Sequence, residues 1–264
     1  MKTVAVYNLK GGVGKTAAAV NIAHLSALNG NRTLLVDLDP QASASFYFRV
    51  VAKKKWSPKK LARGGKRVDE AILASDYPLL DVLPSSMSFR KMSRVVDDMK
   101  HPRRRLRDAL DEVQDQYDLA VIDTPPSIDL DAENVFVAAD MVLVPVIPTT
   151  LSVETLQGVE TFLAGRGVTA GSIHPFFSMV DRRKRLHEST ITEVRSARPG
   201  ILETEIPYTS EIERMGVERA PLTARHRRTR SSRAFQALWR EVSLLLGNPA
   251  GDFGDGGGSR EGGA

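Results

Sequence analysis

The residues best placed to do chemistry lie near the start of the chain, where residues 10–16 read Lys-Gly-Gly-Val-Gly-Lys-Thr. An apolar run at 3–7 precedes them and predicts a buried strand, while the run at 17–25 is largely apolar and helix-forming. A glycine loop between a strand and a helix indicates a phosphate site, because glycines let backbone N–H groups approach the phosphates and the helix N-terminus adds partial positive charge. Lys15 would bind the β- and γ-phosphates, and the Thr16 hydroxyl would ligate Mg²⁺.

One lysine sets this loop apart from the usual phosphate-loop pattern. That pattern has a glycine five residues before Gly14, where this chain has Leu9, and Lys10 is added at the front of the loop. The loop resembles the deviant Walker A motif of the ParA/MinD family of ATPases. The resemblance implies that Lys10 reaches across a dimer interface to the nucleotide of the second subunit; the alternative is a solvated loop lysine. It also assigns nucleotide contacts to the loop and the helix start, at Gly11, Gly12, Val13, Gly14, Lys15, Thr16 and Ala17.

Aspartates end two further apolar runs. The first run ends in Asp37 and Asp39 within Asp-Leu-Asp-Pro-Gln, and the second ends in Asp123 before Thr-Pro-Pro-Ser. Ligands of open parallel sheets collect at the carboxyl ends of the strands, so these side chains are expected to face the loop, unless they merely end their strands. Both motifs resemble signatures of the same family. The resemblance implies that Asp39 orients the attacking water, that Asp37 and Asp123 support Mg²⁺ through its water shell, and that Thr-Pro-Pro-Ser is a switch loop sensing the γ-phosphate.

The adenine pocket is predicted from two later segments. The run 173–180 is typical of a buried strand, and in relatives its end lies beside the base, so Met179 and Asp181 are expected to line the pocket. Ile-Pro-Tyr around Pro207 resembles the second adenine-side loop of the family. The residues that follow, 209–213, differ from the usual family sequence. The choice of ATP over GTP is therefore implied by the resemblance and not by these contacts.

A second functional signal lies at residues 225–233, here called the arginine segment, which contain no acidic residue. They run into a predicted helix at 234–245 whose apolar face is expected to pack in the core, through Phe235, Leu238, Trp239, Val242 and Leu245. Arginines without a base-reading motif would bind duplex DNA with little sequence preference and strong salt dependence. The alternative is a solvated or partner-binding face. The predicted DNA-binding residues are Arg225, Arg227, Arg228, Arg230 and Arg233.

The middle of the chain is less informative. The basic segment 53–67 predicts a surface loop, either solvated or a second contact for DNA or a partner, with Trp56 as a stacking or packing residue. The arginine run at 103–107 is interpreted as one face of a surface helix. The other predicted elements are short helices at 43–51 and 68–75, a strand at 79–85, helices at 87–99 and 103–116, a strand at 140–148 and a helix at 151–164.

Composition narrows the protein class. Of 264 residues, 42% are hydrophobic and 26% charged, which is ordinary for a soluble globular protein, and no apolar run reaches the ~20 residues of a membrane span. The chain has no cysteine. This excludes disulfides, thiolate metal sites and the iron–sulfur proteins that share this loop. No signal peptide is recognised, so a cytoplasmic location is expected, and the net charge of +5 permits nucleic-acid binding.

These features predict an α/β fold with a doubly wound, mostly parallel sheet and helices on both faces. Residues 1–246 would form one ATPase domain, and 247–264 a disordered Gly-rich tail. The resemblance implies a homodimer that sandwiches ATP and Mg²⁺, binds non-specific DNA in the nucleoid, and hydrolyses ATP slowly when stimulated by a ParB-like or other small basic adaptor. Such a switch would position a plasmid, a chromosome origin or a protein assembly such as a carboxysome. The alternatives are a MinD-like membrane-surface ATPase, disfavoured by the tail after the last helix, and a metabolic carboxylase or amidoligase.

Overall fold

An eight-stranded sheet organises the protein, in the order β3-β4-β2-β5-β1-β6-β7-β8. The structure, a computed structural model, describes residues 1–127, 130–166, 169, 172–198 and 200–247. Every strand pairing within those ranges is parallel except that of β3 with β4. The strands are β1 (Lys2–Val6), β2 (Thr33–Asp37), β3 (Leu73–Ala74), β4 (Leu80–Leu83), β5 (Leu119–Asp123), β6 (Met141–Val146), β7 (Ile173–Val180) and β8 (Glu205–Pro207).

Helices cover both faces of the sheet, because the central strands are apolar on both sides. On one face, α1 and α12 pack against Val4 and Val6 of β1; on the other, helices α3 and α5 to α8 pack around Ala5 and Tyr7. The helices are α1 (Lys15–Leu28), α2 (Ser43–Tyr47), α3 (Pro58–Arg63), α4 (Lys66–Asp69), α5 (Met92–Asp97), α6 (Arg105–Asp111), α7 (Leu130–Ala138), α8 (Thr150–Ala164), α9 (Arg185–Ala197), α10 (Ser210–Glu218), α11 (Leu222–Arg225) and α12 (Arg230–Leu245). The predicted fold class is confirmed. The single-domain assignment stays a prediction, and the tail from 248 onward lies outside the described residues.

The basic segment 53–67 is a surface loop only at 53–57, because residues 58–63 form helix α3 and helix α4 starts at Lys66. Pro58 opens helix α3, and Trp56 is buried with 5% of its surface exposed. The Trp56 indole donates from Nε1 to the Pro84 carbonyl at 2.8 Å, and its ring lies beside Phe89. Trp56 is therefore a packing residue, and its alternative role in stacking on nucleic acid is wrong.

Several predicted boundaries also shift. Residues 68–75 are not a helix but split between the end of α4 and the short strand β3, while 87–99 and 103–116 each begin as a 3₁₀ turn and contain shorter helices than predicted. Helices α10 and α11 were not predicted. Leu245 does not continue the buried stripe of α12, since it is half exposed. Leu246 packs on that core instead, because it lies about three full helical turns after Phe235.

Candidate nucleotide-binding site

The topology brings both carboxylate motifs to the glycine loop. Strand β5 lies between β2 and β1, and the register pairs Asp123 with Asp37 on one side and with Val6 on the other. The loop that follows β1 therefore starts next to Asp123, and Asp37 lies one strand further along the same edge of the sheet. The sheet brings together residues that are far apart in the chain, as the motif analysis predicted.

The glycines of the loop are required by its backbone. Gly12 and Gly14 have positive φ angles of 71° and 93°, a region that favours glycine. A Cβ atom on Gly14 would also lie 2.7 Å from the Oγ of Ser178 on β7. Gly14 then starts helix α1, since its carbonyl accepts the Ala18 N–H at 3.0 Å. The loop thus presents its backbone at the N-terminus of a long, nearly fully buried helix.

The two loop lysines differ in environment. Lys15 is buried, and its ammonium donates to the carbonyl of Lys10 at 3.1 Å. Burial lowers the pKa of Lys15, and the carboxylates of Asp123 and Asp39 oppose this shift. Lys10 is exposed, and its ammonium donates to the Ser152 Oγ, at the start of α8, at 3.4 Å. Lys15 faces the candidate phosphate site, whereas Lys10 points along the surface toward another helix.

Two buried carboxyl groups flank the loop. Asp123 is fully buried, and neither of its carboxylate oxygens has a hydrogen-bond partner among the described residues. Burial, with the Asp37 carboxylate adding to it, raises the pKa of Asp123 well above its usual range, while Thr16 and Lys15 oppose the rise. The pKa of Asp37 is raised to about 6, chiefly by burial, although its Oδ2 accepts hydrogen bonds from the Ser45 N–H at 2.8 Å and the Ser45 hydroxyl at 2.7 Å.

This arrangement fits a divalent cation bound together with phosphate. Within the described ranges, no group of three or more His, Asp or Glu side chains forms a metal site. An ion here would need phosphate and water oxygens as its other ligands, which is how Mg²⁺ is usually held. The carboxylate of Asp123, without a hydrogen-bond donor among those same residues, is the group that water molecules around the ion would satisfy. Thr16, Asp37 and Asp123 therefore fit the role predicted for them.

The raised carboxyl pKa values predict how stability depends on pH. A carboxyl whose pKa rises on folding keeps its proton where the unfolded chain has released it, so the free energy of unfolding falls as pH rises from about 4 to above 6. Asp123→Asn should remove much of this loss and stabilise the nucleotide-free protein near pH 8 by on the order of 1 kcal/mol. Urea unfolding in EDTA near pH 5 and near pH 8 measures both effects.

Asp118→Asn is the matched control for that experiment. Asp118 lies just before β5, at the opposite end of that strand from Asp123, and the hydrogen bond from Arg32 lowers the pKa of its carboxyl group. Removing the Asp118 carboxylate should therefore not stabilise the protein near pH 8. A wild-type protein whose stability does not fall with pH, or an Asp123→Asn variant less stable than wild type near pH 8, would contradict the prediction.

A cavity of about 500 Å³ opens beside the loop. Met179 and Pro207 line it, and their contact with a base stays a prediction. Asp181 does not line it, since its carboxylate binds the Arg183 guanidinium at 2.9 Å. Met179 has a positive φ of 55° and lies at a register shift between β7 and β8, an irregularity that redirects side chains. Tyr208 of the Ile-Pro-Tyr motif also lines the cavity. Residues of the cavity wall that the motifs did not indicate are Ser43, Tyr47, Phe176, Ser178, Thr209, Ile212, Glu213 and Phe235.

Comparison with known proteins decides the family. Residues 1–165 match a family model described as an AAA domain. The chromosome partitioning protein ParA of Caulobacter vibrioides is 30% identical over 206 residues, which are 74% of this chain and 76% of that protein. The chain belongs to the ParA family.

Solved structures share the fold of this ParA-family protein. BB_S35 of Borrelia burgdorferi, assigned to plasmid partition and solved with AMPPNP, superposes with a TM-score of 0.79 at 24% identity, covering 93% of this chain and 99% of that one. Cobyrinic acid a,c-diamide synthase of Mycobacterium smegmatis, solved with ADP and magnesium, gives 0.76 at 22% identity, covering 96% and 98%. The cofactors predicted from the sequence, ATP and Mg²⁺, are of the kind present in these structures.

The Thr-Pro-Pro-Ser segment after β5 is hydrogen-bonded to the end of strand β1 and to the residue that follows it. The Thr124 hydroxyl donates to the Val6 carbonyl at 2.8 Å, and the Tyr7 hydroxyl donates to the Ser127 carbonyl at 2.7 Å. Pro126 between them lines the cavity. A movement of the Thr-Pro-Pro-Ser segment would therefore displace groups at the end of β1, where the phosphate loop begins.

The arginine segment lies at the start of α12, close to the cavity wall. Its arginines are exposed, and none has a carboxylate within 4.0 Å among the described residues. Thr229 caps α12 by accepting the Ser232 N–H, and Ser231 bonds to Thr209 of the cavity wall at 3.0 Å. Structure alone shows that Arg225 ends a short helix and that Arg230 and Arg233 lie in the first turns of α12.

A buried polar network also joins α1 to the arginine segment. Asn21 accepts both the N–H and the hydroxyl of Thr223, at 3.0 and 3.1 Å. His24 Nδ1 lies 2.8 Å from the same hydroxyl, and burial with the nearby charge of Arg227 lowers the His24 pKa to about 4. The helix that starts at the phosphate loop is thereby bonded to α11, just before the arginines begin.

Proposed function

We propose that this ParA-type partition ATPase binds ATP with Mg²⁺, dimerises around the nucleotide, and in that form binds duplex DNA without sequence preference to position a cargo. The observation that carries the proposal is the exposed arginine segment, in which His226 contacts the Glu218 carboxylate at 2.8 Å while none of the arginines has a carboxylate partner in the described structure. Hydrogen bonds join this segment to the wall of the nucleotide cavity and its neighbour α11 to helix α1. Nucleotide and DNA sites that share a support can influence each other's occupancy.

The residues of the site have different proposed roles in binding and hydrolysing ATP. The loop N–H groups and Lys15 would bind the phosphates, and Thr16 with the aspartates Asp37 and Asp123 would hold Mg²⁺ and its waters. When bound, Mg²⁺ neutralises charge that develops on the phosphates. Asp39 is partly buried and lines the cavity. Its carboxylate can there orient an attacking water and accept a proton from it. Met179 and Pro207 would contact the base.

Lys10 supports the dimer part of the proposal. Its ammonium rests on Ser152 at the N-terminus of α8, where the helix dipole is positive and disfavours a cation. That contact is weak, and the Lys10 ammonium can exchange it for a phosphate of the nucleotide bound to a second subunit. Leu151 beside it is 69% exposed, which suits a surface covered by another copy of the chain. Each subunit would then complete the other's site, and hydrolysis would break the bridge.

Dimerisation would make DNA binding nucleotide-dependent. Two arginine segments on one dimer double the phosphate contacts, and linked contacts raise affinity far more than either alone. A ParB-like or other small basic adaptor would stimulate slow hydrolysis and release the dimer from the nucleoid. No helix in the described part of the chain is both long and apolar enough to cross a membrane. Membrane-surface binding and turnover of a small substrate remain the alternatives that the assay must separate.

The proposal predicts ATP-dependent binding to random-sequence duplex DNA that weakens with salt. We expect Arg227→Glu/Arg228→Glu to lower the affinity in ATP by about tenfold or more, and the slope of log K against log salt to flatten by about one for each arginine lost. Lys10→Ala should lose the gain due to ATP while keeping the weak binding seen without nucleotide. Fluorescence anisotropy across a salt series, with ATP, ADP or no nucleotide, measures the DNA affinity, its salt slope and its dependence on nucleotide.

Arg103→Glu/Arg104→Glu is the matched control, because these adjacent exposed arginines have carboxylate partners in Glu133 and Asp108. This variant should bind DNA almost like wild type. An affinity that ATP does not change, or an Arg227/Arg228 variant that binds like wild type, would overturn the DNA switch. Binding to liposomes without competition by DNA would instead support the membrane alternative.

A further inference from the structure

Two of the basic clusters in the described residues are neutralised by neighbouring carboxylates. In the run at 103–107 the four arginines pair with Glu133, Asp108 and Asp111. In the second cluster Arg182, Arg183, Arg195 and Arg198 pair with Glu205, Asp181, Glu203 and Glu160. Apart from the arginine segment, a second set of cations has no carboxylate within 4.0 Å in the described residues. We call it the lysine surface: Lys53, Lys54, Lys55, Lys59, Lys60, Arg63, Arg90, Lys91 and Arg94.

The lysine surface is held in place by the core. Trp56 and Leu61 beneath it are buried in the same apolar cluster as Phe89 and Met92. Helix α3 therefore packs against the 3₁₀ turn at Met87–Lys91 and against α5. All of its cationic residues except the half-buried Lys60 are exposed at the surface. Because core packing holds the backbone of these residues in place, their charges form a patch of positive potential on the protein surface.

Glu70 adjoins this surface, where the Lys53 ammonium donates to its backbone carbonyl, and the other acidic residues nearby have other partners or lie at the border. The Glu112 carboxylate accepts the Gly65 N–H, and Asp69 accepts the amide of Gln116 at 3.2 Å. Asp97 and Asp98 lie at the end of α5, beyond Arg94. The surface thus keeps a strong excess of positive charge. Most of its side chains are lysines, hydrated point charges that bind phosphates without the planar geometry needed to read bases.

The lysine surface and the arginine segment lie on different sides of the sheet. Trp56, Leu61 and Phe89 belong to the apolar layer on one face, whereas Phe235 and Leu222, which support the arginine segment, belong to the layer on the other. A straight duplex on one surface of a subunit would leave the other free. We propose that the lysine surface is a second binding site for the phosphate backbone of duplex DNA, so that the protein can hold two duplexes at once.

The proposal goes beyond the nucleotide switch and predicts two measurable effects. We expect Lys54→Gln/Lys55→Gln/Lys59→Gln to weaken the nucleotide-free binding of a random 30-bp duplex about fivefold or more and to flatten its salt slope by about two to three. Bridging with ATP, measured as capture of a fluorescent duplex by a bead-bound one, should be lost. The ATP-dependent gain in affinity should remain, because it depends on Lys10 and the arginine segment.

Lys2→Gln/Lys100→Gln/Lys184→Gln is the matched control, since it removes the same charge from exposed lysines outside the surface. Bridging by this control at the wild-type level, together with its loss in the test variant, supports the proposal. A test variant that binds and bridges like wild type overturns it. So does a surface that binds polyglutamate and not DNA, which would assign it to an acidic protein segment. If ATP has no effect on DNA affinity, the switch fails, but the loss of nucleotide-free binding in the test variant still tests this site.

Discussion

Lys15→Ala is expected to lower the rate of ATP hydrolysis by about 100-fold or more and to weaken ATP binding by about tenfold. The Lys15 ammonium is buried at the loop, close enough to Asp123 and Asp39 for their charges to raise its pKa against the effect of burial. A positive charge in such a low-dielectric site acts strongly on phosphate oxygens. Alanine removes the charge and leaves the two carboxylates to repel the phosphates. Phosphate release and binding of a fluorescent ATP analogue measure the two effects.

Lys2→Ala and Lys10→Ala are the informative controls for that variant. Lys2 is an exposed lysine at the start of β1, away from the loop, and its loss should change neither quantity. Lys10→Ala should keep ATP binding by the monomer and lose hydrolysis, because Lys10 acts on the second subunit in the proposed dimer. A Lys15→Ala variant within about threefold of wild type in hydrolysis would remove this loop as the catalytic phosphate site.

Trp239→Ala is expected to lower the free energy of unfolding by about 3–5 kcal/mol. Trp239 is among the largest fully buried side chains, with 2% exposed, and its indole Nε1 donates to Asn29 just after α1. The substitution would open a cavity between α12 and the helix that carries the phosphate loop. Urea unfolding followed by circular dichroism measures the loss.

Two variants of the same helix separate packing from hydrogen bonding. Leu244→Ala, at a position 64% exposed, should cost less than about 0.5 kcal/mol. Trp239→Phe should cost an intermediate amount, because it keeps part of the packing and leaves Asn29 without the indole donor. A Trp239→Ala variant destabilised by less than about 1 kcal/mol would show that α12 does not support α1 in the way the packing indicates.

The positions of the main strands along the chain, the phosphate loop, the aspartate motifs and the family could all be predicted from the sequence. Those features are local. A glycine loop between a buried strand and a helix can be recognised from adjacent residues, and the positive φ angles at Gly12 and Gly14 are conformations that glycine favours. The doubly wound fold followed because apolar strands alternating with helices have few ways to bury both faces.

Which charges are neutralised, and which buried polar atoms lack a hydrogen-bond partner among the described residues, could not be predicted without the packed fold. The arginine run at 103–107 and the arginine segment are alike in sequence, but carboxylates pair with the arginines of only the first, from the same helix and from α7. Asp123 meets Asp37 through strand register, and the steric limit at Gly14 comes from Ser178 on a distant strand. Trp56 was ambiguous for the same reason, because whether an aromatic ring is exposed or buried depends on what packs over it. Contacts between residues far apart in the chain depend on the packed sheet, and no local pattern records them.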